Sequence, residues 1–162
     1  RRPRREPAVA SKERVLGLGF VGAGAYGLFG AELELALTPQ WSAGFGIGTG
    51  LSYSTWGAYT RFYFSGRESL QAYGQFGYSN WHVGKANSDV ADIRPAYLSE
   101  RFLQDEGGDV PPDATAHLVY PAIGVLYQHR DGLAFGAQLM YFISATSFQG
   151  APGGALSFYY YF

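Results

Sequence analysis

The chain predicts an all-β fold of eight antiparallel strands closed into an up-and-down barrel. Three observations carry this. Short segments of alternating apolar and polar residues recur from residue 15 to the last residue, with the two-residue period of a strand. Turn residues, not helical patterns, separate them, so the sheet is a meander. The last segment, Ala155 to Phe162, sets Leu156, Phe158, Tyr160 and Phe162 against Ser157, Tyr159 and Tyr161. An exposed edge of that composition would be sticky; in a closed barrel it pairs with the first strand.

Val15 to Gly27 reads as the first strand. Phe29 to Leu37 is the second, with Ala31, Leu33, Leu35 and Leu37 on one face and Glu32, Glu34 and Ala36 on the other. Thr38 to Trp41 is a turn with Pro39 early in it. Ser42 to Ser52 is the third strand, with Gly44, Gly46, Gly48 and Gly50 along one face. A turn at 52–55 leads to the fourth, Trp56 to Phe64, whose faces are Trp56, Ala58, Thr60, Phe62 and Phe64 against Gly57, Tyr59, Arg61 and Tyr63. That turn would set Gly48 opposite Tyr59, Gly46 opposite Arg61 and Gly44 opposite Tyr63. Glycine would thus leave room for bulky neighbours.

Residues 65–68 form the next turn, and Ser69 to about Val83 the fifth strand. Gly84 to Thr115 is a long acidic segment. Ala116 to Gln128 is the sixth strand, apolar on both faces. Pro121 inside it lacks a ladder N–H, which predicts either a bulge or a strand whose first part stands above the barrel. Arg130-Asp131-Gly132 is a hairpin signal. Leu133 to Ser144 is the seventh strand, and a glycine-proline loop over 148–154 precedes the eighth.

Composition narrows the class. In 162 residues charge is low at 15%, aromatic content is high at 17%, and glycine is frequent at 23. There is no cysteine, which excludes disulfides and thiolate sites. No apolar run reaches the ~18 residues of a membrane helix. Residues 1–14 hold six bases and two acids, and the remainder six bases and eleven acids. The first fourteen residues therefore read as a basic extended arm, set against an otherwise acidic chain. The arm suits a partner or anionic head groups, or is a solvated tail. Nothing after it supports nucleic-acid binding.

The polar faces of the strands carry Glu32, Glu34, Arg61, Gln71, Gln75, Gln138, Tyr159 and Tyr161, while the other faces are nearly free of charge. A charge facing lipid at the bilayer midplane costs about 2–4 kcal/mol in such barrels. The polar face is therefore expected to line the lumen, making the barrel transmembrane. Eight strands leave room only for side chains inside. Arg61 is expected to pair with Glu32 or Glu34, because an unpaired buried guanidinium is too costly. Outward aromatics near strand ends predict interfacial belts: Phe64, Tyr127, Phe135 and Phe162 at one end, and Tyr53, Trp56, Tyr78 and Tyr141 at the other. The turns at 38–41, 65–68 and 130–132 are short and share one side. The opposite side holds 84–115 and 148–154, the asymmetry expected of periplasmic turns and outer loops. Both termini then lie on the periplasmic side.

In strand count, alternation, turn asymmetry and the ending Phe158, Tyr160, Phe162, residues 15–162 resemble small eight-stranded outer-membrane barrels of the OmpA transmembrane-domain and OmpX type. The resemblance implies a terminal Phe read by the barrel-assembly machinery. It also implies a lipid and lipopolysaccharide environment, and a structural or adhesion role through outer loops or arm, alone or within an envelope complex. No cofactor or metal is expected. Arg1, Arg2, Arg4, Arg5, Tyr97, Leu98 and Phe102 are the candidate partner-binding residues; Tyr97, Leu98, Arg101 and Phe102 could form a helical turn or two within the long loop. That loop serves either recognition or as a cap over the barrel mouth. His82 and His117 flank it, with outward parity. They are weak catalytic candidates for a lipid A-modifying enzyme, since Ser79 has inward parity and does not obviously meet His82. A narrow channel is a further alternative.

Overall fold

The computed structural model describes residues 15–64, 69–84, 96–104, 111 and 113–162. The basic arm with Arg1, Arg2, Arg4 and Arg5, the turn at 65–68 and most of the acidic loop lie outside the described residues. The strands are β1 (Leu16–Gly22), β2 (Phe29–Ala36), β3 (Trp41–Thr49), β4 (Ser54–Tyr63), β5 (Leu70–His82), β6 (Thr115–Gln128), β7 (Leu133–Ser144) and β8 (Gly150–Tyr161). A two-turn helix, α1 (Ala96–Leu103), lies between β5 and β6.

Every strand pairs antiparallel with its sequence neighbour, and β1 pairs with β8, so the sheet closes. Closure runs from Gly17 opposite Tyr161 to Gly22 opposite Leu156. The Phe162 N–H extends it, donating to the Leu16 carbonyl at 2.8 Å. A closed sheet has no edge, which is what makes a strand this aromatic tolerable.

Alternation decides the faces. Leu18, Leu33, Phe45, Phe76, Ile123, Leu139 and Leu156 are among the large apolar side chains exposed on the outside. No described strand carries Asp, Glu, Lys or Arg on its outer face. The buried apolar residues of the strands face the axis, and they fall into two clusters. One fills the long-loop half with Tyr26, Tyr53, Trp81, Leu118, Tyr120 and Phe142 among others. The second fills the short-turn half with Tyr63, Tyr73, Leu126, Ala134, Tyr159 and Tyr161.

The structure corrects several element boundaries and one register. The first strand ends at Gly22, not Gly27. Ala23 and Gly24 take positive φ (63° and 86°), as does Gly27 (80°). These left-handed positions turn the chain into the lumen through a single 3₁₀ turn, Gly24–Tyr26. β3 ends at Thr49 and β4 starts at Ser54, because the hairpin turns at 50–53, closed by the Gly50 N–H donating to the Tyr53 carbonyl at 2.9 Å. Gly44 therefore lies opposite Tyr59, Gly46 opposite Gly57 and Gly48 opposite Thr55. The anticipated pairing was four residues out. The glycines make room for a different residue: a Cβ on Gly46 would stand 2.5 Å from the Tyr26 ring. Tyr26 enters the lumen from the β1–β2 connection, and Gly30, Gly46, Gly48 and Gly57 surround it.

β8 begins at Gly150, so most of the anticipated 148–154 loop is strand. The turn before it bends at Phe148, with φ of 56°, and is held by the Ser144 N–H donating to the Gln149 carbonyl. Pro121 causes no bulge. The β6–β7 register is the same before it, Val119 opposite Ile143, as after it, Ala122 opposite Met140. The β5–β6 register also runs unbroken past Phe76 opposite Pro121. The ladder to β7 simply omits Tyr120 and Pro121.

Packing of Tyr26 against the glycines yields a testable outcome. Gly46→Val should lower stability by about 1–3 kcal/mol, the usual cost of overpacking, read as a shift in urea unfolding of the refolded barrel. Adding Tyr26→Ala should recover part of that loss. Strictly additive losses would show that the two residues do not share the space.

Candidate functional site

The chemistry-bearing side chains fall into a lumen network and an outer rim. The lumen network is built where β2, β4, β5 and β8 present inward positions at mid-height. Glu32 and Glu34 come from β2, Arg61 from β4 and Gln75 from β5; they are 3%, 2%, 1% and 6% exposed. Arg61 Nη1 donates to Glu34 Oε2 at 2.5 Å and Nε donates to Gln75 Oε1 at 3.0 Å. Nη1 also reaches the Tyr63 hydroxyl, and Nη2 the Tyr159 hydroxyl, both at 3.3 Å.

Each of those hydroxyls passes its own proton to a carboxylate. Tyr63 donates to Glu34 Oε1 at 2.8 Å, and Tyr159 donates to Glu32 Oε2. Tyr59 donates between the two acids, 3.0 Å from Glu34 Oε2 and 3.3 Å from Glu32 Oε2. The guanidinium also lies 4.3 Å from the Tyr73 ring centre and 4.9 Å from that of Tyr59, within cation–π range. One cation and two carboxylates are thus held by a ring of phenols. Charge-assisted bonds of this kind are the strong ones in a water-poor interior.

Gln138 sits apart from this cluster, accepting from the Tyr73 hydroxyl at 3.1 Å. Gln71 lines a small cavity at the short-turn end, together with Glu34, Tyr63, Leu126 and Tyr161. Its volume is about 30 Å³, room for about two waters.

The long-loop half of the lumen is closed by apolar packing. Trp81 stacks on Tyr53 at 4.9 Å and meets Phe102 of α1 edge-on at 6.2 Å. Trp81 Nε1 donates to the Ala25 carbonyl at 3.0 Å, and the Ser79 hydroxyl donates to the same oxygen at 2.5 Å. The inward-folded turn is pinned by these two bonds. Leu98 and Leu103 of α1 are buried, and Phe102 packs on Phe142. Leu98 and Phe102, two of the candidate partner residues, pack over the barrel mouth. Tyr97 and Arg101 face outward. Tyr53, placed in an interfacial belt by the sequence reading, is instead inside. It shares parity with Thr55, Gly57 and Tyr59, and burial pushes its phenol up to about 12.

At the rim, His82 and His117 are exposed on the outer surface. His117 Nδ1 lies 2.7 Å from the Tyr78 hydroxyl and 3.2 Å from Asn80 Nδ2. His82 Nδ1 lies 3.0 Å from Thr115 Oγ1. Ser79 is inside the barrel, so it forms no pair with either imidazole. Among the described residues no group of three or more His, Asp or Glu could hold a metal ion. Phe158, Tyr160 and Phe162 of the terminal strand face outward. Trp56, Phe64, Tyr127, Phe135 and Tyr141 also expose their rings at the strand ends.

Parity alone missed Tyr26, Trp81 and Phe142, the anchors of the upper lumen. One signal for Tyr26 was available. Gly46, Gly48 and Gly57 leave more empty space than strand residues can fill.

No protein-family model and no curated protein matches this chain. Solved structures do. The N-terminal β-barrel domain of OprF from Pseudomonas aeruginosa superposes with a TM-score of 0.67 at 12% identity, over 92% of this chain and 98% of that one. Ail, the attachment invasion locus protein of Yersinia pestis, gives 0.45 at 11% identity, over 91% and 93%. The outer membrane enzyme PagL gives 0.41 at 14%, over 90% and 97%. The chain has the fold of the small eight-stranded outer-membrane barrels.

Arg61→Met should destabilise the barrel by about 3–5 kcal/mol, since it strands Glu34 in the interior. Arg61→Met with Glu34→Gln should be clearly milder. Urea unfolding in lipid vesicles measures both, and equal losses would mean the ion pair is not the organising contact.

Proposed function

We propose that the chain is an integral outer-membrane barrel of the non-porin kind. It acts through what its outer loops and N-terminal arm contact, in a structural, adhesion or partner-binding role within the cell envelope. The observation that carries this is the inverted polarity: apolar residues outside every strand, charges at the axis, and a lumen packed with side chains. A water-soluble barrel of this surface would aggregate. A bilayer requires such a surface, together with the edge-free closure that satisfies every backbone group in lipid.

The orientation that fits best puts both termini and the short turns in the periplasm and α1 with its flanking loop outside. Bilayer lipid and lipopolysaccharide then surround the outward aromatics. The outward Phe158, Tyr160 and Phe162 offer the barrel-assembly machinery an accessible terminal signal.

The packed interior favours this reading over a channel. Tyr26, Trp81, Phe142 and α1 occupy the upper half, and the Arg61 network crosses the middle. An enzyme acting on lipid A would need a nucleophile within reach of a rim imidazole. Among the described residues no serine hydroxyl bonds to the imidazole of His82 or His117; Ser54, opposite His82, turns its hydroxyl to the His82 backbone carbonyl at 3.4 Å instead.

Two measurements test the proposal. In planar bilayers the refolded protein should be electrically silent; steady unitary conductance would replace it with the channel reading. Leu33→Arg, at mid-height on the outer face, should cost about 2–4 kcal/mol of stability in vesicles, while Leu37→Arg beside the turn should cost about 0–1. Equal, small effects would exclude a bilayer around this surface.

A further inference from the structure

The outer surface at the long-loop end carries a polar patch that the lumen network does not use. It is made of Trp56 on β4, Tyr78, Asn80 and His82 on β5, and Thr115 and His117 on β6. The register sets Trp56 beside Asn80, Asn80 beside His117 and His82 beside Thr115. Tyr78 stacks on the His117 ring at 6.2 Å, and Trp56 leans on Tyr78 at 5.6 Å. The exposed apolar surface of Phe76 adjoins the patch on β5. This is the boundary where interfacial aromatics sit.

Hydrogen bonding assigns the two imidazoles opposite tautomers. An amide nitrogen can only donate. With the Tyr78 hydroxyl at 2.7 Å and Asn80 Nδ2 at 3.2 Å, both contacts of His117 Nδ1 are met when it accepts and the ring proton sits on Nε2. His82 is the reverse. Thr115 Oγ1 has one proton and two contacts, the Asp113 carbonyl at 3.4 Å, which can only accept, and His82 Nδ1 at 3.0 Å; both are met together when His82 Nδ1–H donates to Thr115. That leaves His82 Nε2 with a free lone pair. Among the described residues neither Nε2 has a partner. Both imidazoles are exposed, and they occupy diagonal positions on adjacent strands, neighbours within reach of long side chains. One offers a donor and the other an acceptor.

We propose that this patch binds the headgroup of a membrane lipid in which a phosphate and an N–H or O–H donor lie a few bonds apart. A phosphate oxygen accepts from His117 Nε2–H, with the indole N–H of half-exposed Trp56 available on the same face. The headgroup's own donor is received by His82 Nε2. Asn80 is the positioning residue that holds the His117 tautomer. This inference rests on the outer-membrane reading, because only in a bilayer does this surface meet headgroups.

The test uses the refolded full chain with ¹⁵N-labelled histidine in phosphate-free detergent micelles. Short-chain phosphatidylethanolamine, carrying both groups, should move the Nε2 signals of both imidazoles. Phosphatidylcholine, which has phosphate but no N–H, should move only His117. A monoacylglycerol, with hydroxyls but no phosphate, should move only His82. His117→Ala and His82→Ala, each checked for β-sheet content, should weaken phosphatidylethanolamine binding about tenfold, the worth of one charge-assisted hydrogen bond. Identical shifts from the ethanolamine and choline lipids would overturn the proposal, as would a silent His117 or unchanged binding by H117A. Insertion into vesicles is scored separately by protease protection. A barrel that does not insert defeats the membrane reading itself; one that inserts yet gives a flat titration defeats only the headgroup site.

Discussion

Arg61 lies at the centre of a cylinder too narrow to hydrate it, and the rest of the lumen is arranged around that fact. A guanidinium has five N–H donors and no acceptor. Its neighbours are accordingly a carboxylate, an amide oxygen and two phenol oxygens. The phenols then have protons to place, and they place them on Glu34 and Glu32. The chain of donation has a direction, from Arg61 through Tyr63 and Tyr159 to the acids. Every strand contributing to it must hold register to within one residue, because a slip of one would turn the side chain into lipid. The network thereby ties β2, β4, β5 and β8 together across the axis, which the sheet's own ladder cannot do.

Above this layer the problem is volume, not charge. β5 to β8 have 12 to 14 residues each, whereas β1 to β3 have 7 to 9. The short side leaves a gap at the long-loop end. The connection at 23–28 folds into it, and α1 caps what remains. Glycines on β2, β3 and β4 are the complement of this plug; they are small because Tyr26 is large. The outcome is an upper lumen packed with Trp81, Phe142 and Leu118 around Tyr26, Tyr53 and Tyr120, over a lower one that holds the ion pair. The alternation that divides outside from inside does not itself reveal this division along the axis.

Much of the fold was legible. Strand number, antiparallel order, closure and the side of short turns follow from period, turn chemistry and length. Each is a local property, or a sum of local ones. The face carrying Glu32, Glu34 and Arg61 is equally local. The choice of Glu34 over Glu32 as the direct partner of Arg61 is not, since it depends on stagger between strands. Trp81 and Phe142 were passed over because parity assigns an inward side chain no depth. Leu98 and Phe102 read equally well as cap or contact surface, because a short amphipathic helix has an apolar face in both cases. Only the Trp81 and Phe142 rings show which way the apolar face of the helix turns.

By itself the sequence determined that the barrel is inside out. A two-residue period is written into each strand, and the cost of charge in lipid leaves one way to orient it. The tertiary structure alone decided register and filling. The β3–β4 hairpin turns two residues before the place the residues suggested, which moves each cross-strand partner by four, and an even displacement keeps every side chain on its own face. Alternation is blind to such a shift. It takes the opposing strand, and a tyrosine arriving from another connection, to show where the empty space was meant to go.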